Sequence, residues 1–298
     1  MSSNDSFELP LKPSGEKGIY NKLDWVKEAD SKLTSARLLR GCASDKKKEL
    51  EHLRILKKEQ GMRPTSKEVF DILDVRDSAN KSSILLLGYS IELLLKAGIV
   101  SLLIYAPKYL LEKKVRSYSH ALCEIAIDLH VELTEEEDNL LQLLSSYIVR
   151  ETRYPVTAKS VQDYCNQVNS IAALVSSDDQ FSLGVDLYNK IRNLITEIDG
   201  TPDNMKIYCR LEMEADGFVT FRIGGPLPPV FIIKYCSTQI ERHIDNLDTI
   251  KELLKDKNIS NKSIHSHLME KSWDTAVFYR VSKKKGLSRH LNGTKTVV

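Results

Sequence analysis

The segment SILLLGYSIELLLKAGIVSLLIYA, residues 83–106, decides how the rest of the chain is interpreted. It is mostly apolar and long enough to cross a bilayer, but Glu92 and Lys96 stand near its middle. Each charge at the centre of a bilayer would cost about 2.5–3.5 kcal/mol. The two residues are four apart with the acid first, so they share a helix face and can pair. We therefore predict a buried helix and no membrane span, with a pair that is either a structural latch or part of a polar site.

The composition is that of an ordinary soluble protein. The chain has 298 residues, 42% of them hydrophobic, and a formal net charge of +2, which by itself points to no class of partner. This length favours two domains. Five scattered cysteines without a CxxC pair are typical of reduced thiols, which indicates a cytoplasmic protein. Residues 1–19 contain no apolar signal region, and we predict a disordered leader there.

Residues 20–198 carry only helical patterns. Apolar residues at three-to-four spacing predict a first helix that ends at Gly41. A charged stretch follows, and we interpret residues 44–79 as an inserted helical hairpin, with Thr65 and Glu68 forming a capping box. Further on, Thr134 is expected to cap a helix with an acidic first turn, and Pro155 to end it.

The pattern changes near residue 199. The stretch MKIYCRLEMEADGFVTFRIG, residues 205–224, alternates apolar and polar residues on both sides of a turn, which predicts a β-hairpin. VFIIKYC, residues 230–236, and TAVFYRVS, residues 275–282, predict two further strands with helices between them. The expected fold class is α+β, predominantly α: a helical bundle, a small α+β domain over 199–282, and a flexible basic tail over 283–298.

Common catalytic motifs are missing from the sequence. There is no phosphate-binding GxxxxGK[ST] loop, no GxGxxG after a strand, no HExxH and no GxSxG. His265 and His267 are two residues apart and so point to different faces of a helix, and no cluster has zinc-ligand spacing. The sequence predicts no metal and no cofactor.

Four blocks of the helical half carry a resemblance. They are WVKEADSKLTSARLL (25–39), GYSIELLLKAGI (88–99), SHAL (119–122) and YIVRETRYP (147–155). In this order they resemble the HEPN family over roughly residues 20–176, interrupted by the insertion. The resemblance implies an up-and-down bundle of four to five helices, commonly a homodimer. It also implies RNA binding or cleavage in a stress, toxin–antitoxin or antiviral defence system of prokaryotic type.

The ribonuclease branch of that family has an Arg and a His separated by four to six intervening residues. Here no His meets that rule, and Arg116 before His120 is one residue short. Candidate catalytic residues are His120, Arg153 and Arg116. Candidate phosphate-binding residues are Lys96, Glu92, Arg150 and Tyr154. Each also has an ordinary structural interpretation, such as a helix cap for His120, but both interpretations predict that these side chains converge in one polar cleft.

Two other functions stay open from the sequence. The chain could be a non-catalytic module that dimerises through the bundle and recruits a partner enzyme through the α+β domain. It could instead bind a nucleotide in the bundle groove, with Lys96 and Arg153 on the phosphates.

Overall fold

The computed structural model describes residues 9–151, 160–201, 203–214, 216–255, 264–282 and 286–290. The predicted fold class is confirmed, since the chain is mostly helical with one small mixed sheet. Two compact units share the chain. The sheet unit comprises Met1–Lys22, Ala97–Ser119 and Asn193–Val298, and the helical unit comprises Leu23–Lys96 and His120–Arg192. The units are therefore interleaved along the sequence, which differs from the consecutive domains that the sequence suggested.

Seven helices precede the sheet in the part of the chain described. They are α1 (Lys22–Glu59), α2 (Ser66–Leu102), α3 (Lys108–Tyr118), α4 (Leu122–Asp128), α5 (Glu135–Ser146), α6 (Val161–Ser176) and α7 (Asp178–Glu197). A π-helical turn, Tyr147–Glu151, continues from the end of α5.

Helices α1 and α2 are longer than the sequence indicated. The expected stop at Gly41 is wrong, because Gly41 lies inside α1, where an added Cβ would meet nothing within 4 Å. A glycine in a helix interior costs only about 1 kcal/mol, which the rest of a long helix can offset. The expected hairpin over 44–79 is thus made of the end of α1 and the start of α2, so it extends two helices of the bundle.

Helix starts follow local capping rules. The Thr65 N–H donates to Glu68 Oε2 at 2.7 Å, and the Glu68 N–H donates to Thr65 Oγ1 at 3.3 Å, so the capping box before α2 is confirmed. Thr134 caps α5, as expected, and forms a second capping box with Glu137. Pro155 lies outside the described residues.

Helix α2 is the central core helix of the helical unit. By length and composition it could cross a membrane, but 78% of its most apolar window is buried inside the protein. Gly184 on α7 allows close packing, since an added Cβ there would lie 2.6 Å from Leu87 Cδ2 on α2. This burial is what a core helix of a soluble protein requires.

The sheet has five strands in the order β1-β2-β3-β4-β5. The strands are β1 (Ile207–Met213), β2 (Gly217–Gly224), β3 (Leu227–Lys234), β4 (Val277–Ser282) and β5 (Gly286–Arg289). All neighbours are antiparallel except β3 and β4, which are parallel. The predicted hairpin is β1–β2. Helices α8 (Ser237–Glu241), α9 (Leu247–Lys255) and α10 (Ile264–Ser272) lie between β3 and β4 in the sequence.

An aromatic cluster forms the core of the sheet unit. The Phe231 ring lies 4.8 Å from Phe221, 5.2 Å from Trp273 and 5.1 Å from Phe278, measured between ring centroids. Phe231 is fully buried, and residues of α9 and α10 pack against the same cluster. Each of these three aromatic contacts contributes about 0.5–1.5 kcal/mol beyond the area that it buries.

Both ends of the chain are more structured than expected. Leu11 is fully buried, its N–H donates to the Ala106 carbonyl at 2.8 Å, and its own carbonyl accepts from Tyr105 at 2.9 Å. The prediction of a disordered leader is therefore wrong for residues 9–19. The prediction of a flexible basic tail is wrong for residues 286–289, which form β5. Leu11 is ordered by partners far away in the sequence, whereas β5 pairs with the neighbouring strand β4.

Candidate functional site

A buried ion pair lies on α2 within the helical unit. Lys96 Nζ donates to Glu92 Oε1 at 2.5 Å, one helical turn away. The two side chains are only 11% and 7% exposed, respectively. Removing one partner from such a pair would leave an uncompensated buried charge, so each residue stabilises the other in its buried position.

His120 completes a three-residue cluster with this pair. Its Nδ1 lies 2.9 Å from Glu92 Oε2, the second oxygen of the carboxylate. His120 stands just before α4, and its imidazole does not cap that helix, because the N-cap is Ala121 without a side-chain cap. The Leu122 N–H at the helix start is bound by the Ser145 hydroxyl at 3.1 Å instead. The imidazole is thus free of a capping role.

The geometry at Glu92 fixes the orientation of the imidazole. A carboxylate accepts hydrogen bonds, so Nδ1 of His120 carries the proton that faces Glu92. Nε2 is then the nitrogen that can exchange a proton with a ligand. The His120 side chain is 19% exposed, whereas that of Glu92 is 7% exposed. A buried acid that orients a partly exposed imidazole is an arrangement used in general acid–base chemistry.

Tyr89 is a neighbour of this cluster that the sequence interpretation missed. Its ring centroid lies 6.2 Å from that of His120, with the planes tilted by 58°. Tyr89 precedes Glu92 by three residues, so both lie on one face of α2. That spacing was the signal available in the sequence.

Cys123 is the cysteine closest to His120 along the chain. Burial raises the pKa of its thiol to about 11, and the nearby Asp138 adds to this effect. A thiol with such a pKa is protonated at neutral pH and is a poor nucleophile. Cys123 therefore takes no part in the chemistry that we consider.

Of the other predicted site residues, Arg116 is the one whose side chain the structure describes. Arg116 belongs to the sheet unit, on α3, where its guanidinium is 82% exposed and lies 3.6 Å from Glu112. Arg153 and Tyr154 lie outside the described residues, as does the side chain of Arg150. The roles proposed for these four residues stay predictions.

Over the described ranges, no group of three or more His, Cys, Asp or Glu side chains could hold a metal ion. Comparison with known proteins gives no family: no protein-family model, no curated protein and no solved structure matches this chain.

Proposed function

We propose that this is a cytoplasmic, RNA-directed protein of the HEPN type that acts in a prokaryotic-type stress, toxin–antitoxin or antiviral defence system. In this proposal it binds RNA and cleaves it without a metal ion, at a dimer cleft that contains His120. One observation carries the proposal: the imidazole of His120 is oriented by Glu92 through a 2.9 Å contact. The order of the sequence blocks that resemble the HEPN family supports it as well.

The proposed reaction uses the 2′-hydroxyl of RNA as the nucleophile. Nε2 of His120 takes the hydroxyl proton, the 2′-oxygen bonds to phosphorus, and the bond between phosphorus and the 5′-oxygen breaks. The leaving 5′-oxygen takes a proton from water, and the protonated imidazole gives its proton to the hydroxide that forms, which leaves a 2′,3′-cyclic phosphate and a 5′-hydroxyl end. Lys96 is 11% exposed and bound to Glu92, so we assign it to neutralising that carboxylate. We assign contact with the phosphate to Arg150 and Arg153, which the sequence predicted.

The test is incubation of end-labelled RNA with the purified full chain. We expect His120→Gln to lower the cleavage rate by about 10²–10⁴-fold, because it removes the acid–base group. Glu92→Gln should lower it less, since the imidazole is retained but no longer oriented by a carboxylate. His52→Gln is the matched control, because His52 is exposed on α1. The proposal fails if the wild type neither cleaves nor retains RNA, or if His120→Gln cleaves at the wild-type rate.

A second candidate function is a non-catalytic dimerising module, and one observation favours it. Several large apolar side chains on the hairpin formed by α1 and α2 are exposed: Ile55 by 58%, Met62 by 53% and Phe70 by 60%. Clusters of exposed apolar residues are typical of protein interfaces. In this function, β1 at the sheet edge would add a surface for a partner enzyme. Sedimentation of the wild type and of Phe70→Asp tests it, and a monomer in both would contradict it.

A further inference from the structure

A polar cavity lies in the helical unit. It encloses about 730 Å³ and is lined by residues of α1, α2, the π-helical turn, α6 and the first residue of α7. This volume is within the range of small-molecule sites, roughly 300–1,000 Å³. Glu92, Lys96 and His120 are not among its lining residues. We call it the α1–α2–α6 groove.

Arg40 holds the walls of this groove together. Its Nη1 donates to Asn80 Oδ1 on α2 at 3.0 Å and to the Val175 carbonyl on α6 at 2.7 Å. Its Nε donates to Asp178 Oδ1 at the start of α7 at 2.9 Å. Arg40 is only 9% exposed and its bond to the Val175 carbonyl is buried, whereas the Asp178 side chain is 84% exposed. The groove is therefore built from cross-linked helices, and a ligand would meet preformed walls.

The groove carries more positive than negative charge. Its cations are Arg40, Lys47, Arg76 and Lys81, and its acids are Asp77 and Asp178. Each acid is already matched by an arginine, since Arg76 Nη2 lies 2.9 Å from Asp77 Oδ1 and Arg40 is bound to Asp178.

The two remaining cations of the groove, Lys47 and Lys81, are available to bind a ligand. They stand on different walls, α1 and α2, and neither ammonium group has a hydrogen-bond or ion-pair partner within the part of the chain that the structure describes. Two uncompensated ammonium groups at one cavity match a ligand of charge about −2.

One side of the groove is apolar. Ala43 and Val175 are 3% and 7% exposed, and Ile171 completes this surface on α6. The Tyr147 ring also lines the groove, and its hydroxyl donates to the Lys81 carbonyl at 3.2 Å. Apolar walls with a few convergent charged groups are the usual composition of a small-molecule site.

We propose that the α1–α2–α6 groove binds a small phosphate monoester that carries a flat aromatic group, as a nucleoside monophosphate does. The dianionic phosphate lies between Lys47 and Lys81, and the aromatic group rests on the surface formed by Val175, Ala43 and the Tyr147 ring. This site goes beyond the proposed RNA cleavage, because it shares no residue with the His120 cluster. Its test is therefore independent of whether RNA is cleaved.

The experiment is calorimetric titration of the full chain with AMP, adenosine and inorganic phosphate. We expect AMP to bind at least about tenfold more tightly than either part alone, because only AMP fills both sides of the groove. Lys47→Gln/Lys81→Gln should weaken AMP binding by about tenfold or more. Lys48→Gln is the matched control, since Lys48 is an exposed lysine of α1 that does not line the groove, and should change the affinity less than twofold.

Filling the groove gives a second variant that does not touch the charges. Ala172 is exposed on α6 and lines the groove, so Ala172→Phe should fold and should remove the preference for AMP over phosphate. Equal melting temperatures for all variants would show that they are folded. The proposal is overturned if AMP does not bind at about 1 mM, if phosphate binds as well as AMP, or if the double variant binds AMP unchanged. Binding of an RNA oligonucleotide through Lys47 and Lys81 without binding of AMP would also overturn it, in favour of RNA.

Discussion

The two units bury a positive charge in different ways. In the helical unit, Lys96 is bound by Glu92, which also holds the partly exposed His120. In the sheet unit, Arg222 on β2 is 2% exposed and donates to two backbone carbonyls, while its Nε and Nη1 have no hydrogen-bond partner among the residues described. Burial lowers the pKa of Arg222 below its usual value. The first cluster includes a group that a ligand could reach, and the second does not.

This difference separates a candidate site from a structural charge. Burial alone does not indicate function, since Arg222 is buried more completely than Glu92. The distinguishing feature is a partly exposed titratable group, His120, whose orientation is fixed by a buried carboxylate, Glu92. The following predictions test how far the two units differ, beginning with the largest expected effect.

The aromatic core of the sheet unit should be the most sensitive to truncation. Phe231→Ala removes a fully buried ring with three aromatic neighbours, and we expect the free energy of unfolding to fall by about 3–5 kcal/mol. Phe70→Ala on α2 is the matched control, because Phe70 is 60% exposed, and it should stay within about 0.5 kcal/mol of the wild type. Urea unfolding measures both. Similar losses would mean that Phe70 is buried in solution, for example in a dimer.

The two buried cations should respond differently to removal of charge. Glu92→Gln leaves the Lys96 ammonium without its carboxylate, and we expect a loss of about 3 kcal/mol. Glu92→Gln/Lys96→Met should lose less than the sum of the single variants, with a coupling of at least about 1 kcal/mol. Arg222→Met removes a charge that has no carboxylate bound to it within the described residues, so it should cost no more than about 2 kcal/mol. A larger loss for Arg222→Met than for Glu92→Gln would contradict the comparison.

Acid should destabilise the sheet unit through Asp199. Burial raises the pKa of this carboxyl, but hydrogen bonds from Lys22 at 2.5 Å and Tyr208 at 2.7 Å outweigh it, so the folded pKa is lower than usual. Its contribution is complete above the unfolded pKa, about 3.9, and is lost as pH falls through the lowered folded pKa. One such group changes stability by at most about 1.4 kcal/mol per pH unit. In urea unfolding at a series of acidic pH values, the free energy of unfolding of Asp199→Asn should fall less steeply with pH than that of the wild type.

Asp30 provides the corresponding test in the helical unit. Burial opposes its ionisation, but hydrogen bonds from Arg192 and Tyr188 lower its pKa. Its side chain is 47% exposed against 19% for Asp199, so solvent screens these interactions more. Asp30→Asn should therefore change this fall in the free energy of unfolding less than Asp199→Asn. An equal or larger effect would show that exposure does not separate the two carboxylates.

The smallest expected effect on stability is the gain from replacing a helical glycine. In the helical unit, Gly41→Ala adds a methyl group in open space inside α1, and we expect stabilisation of about 0.5–1 kcal/mol. In the sheet unit, Gly225→Ala is the contrasting variant: Gly225 has φ of +66°, and a Cβ would lie 2.6 Å from the Glu197 carbonyl oxygen. It should lower the melting temperature, whereas Gly41→Ala should raise it. A fall with Gly41→Ala would mean that an interface covers this part of α1.

Local features were the most predictable from the sequence. The capping boxes at Thr65 and Thr134 are set by residues three apart, and the Glu92–Lys96 pair by residues four apart, so their signals lie within one helical turn. Leu11 depends on partners far along the chain, which residue patterns do not specify. The α1–α2–α6 groove was missed for the same reason, because its lining residues run from Arg40 to Asp178 without any repeated spacing.

The interleaved division of the chain also bears on synthesis at the ribosome. All segments of the helical unit have been made once residue 192 emerges, whereas the sheet unit still lacks every strand of its sheet. Domains generally fold as they become complete during synthesis. We therefore expect the helical unit to bury its core first, while the segment around Leu11 waits for the rest of its unit.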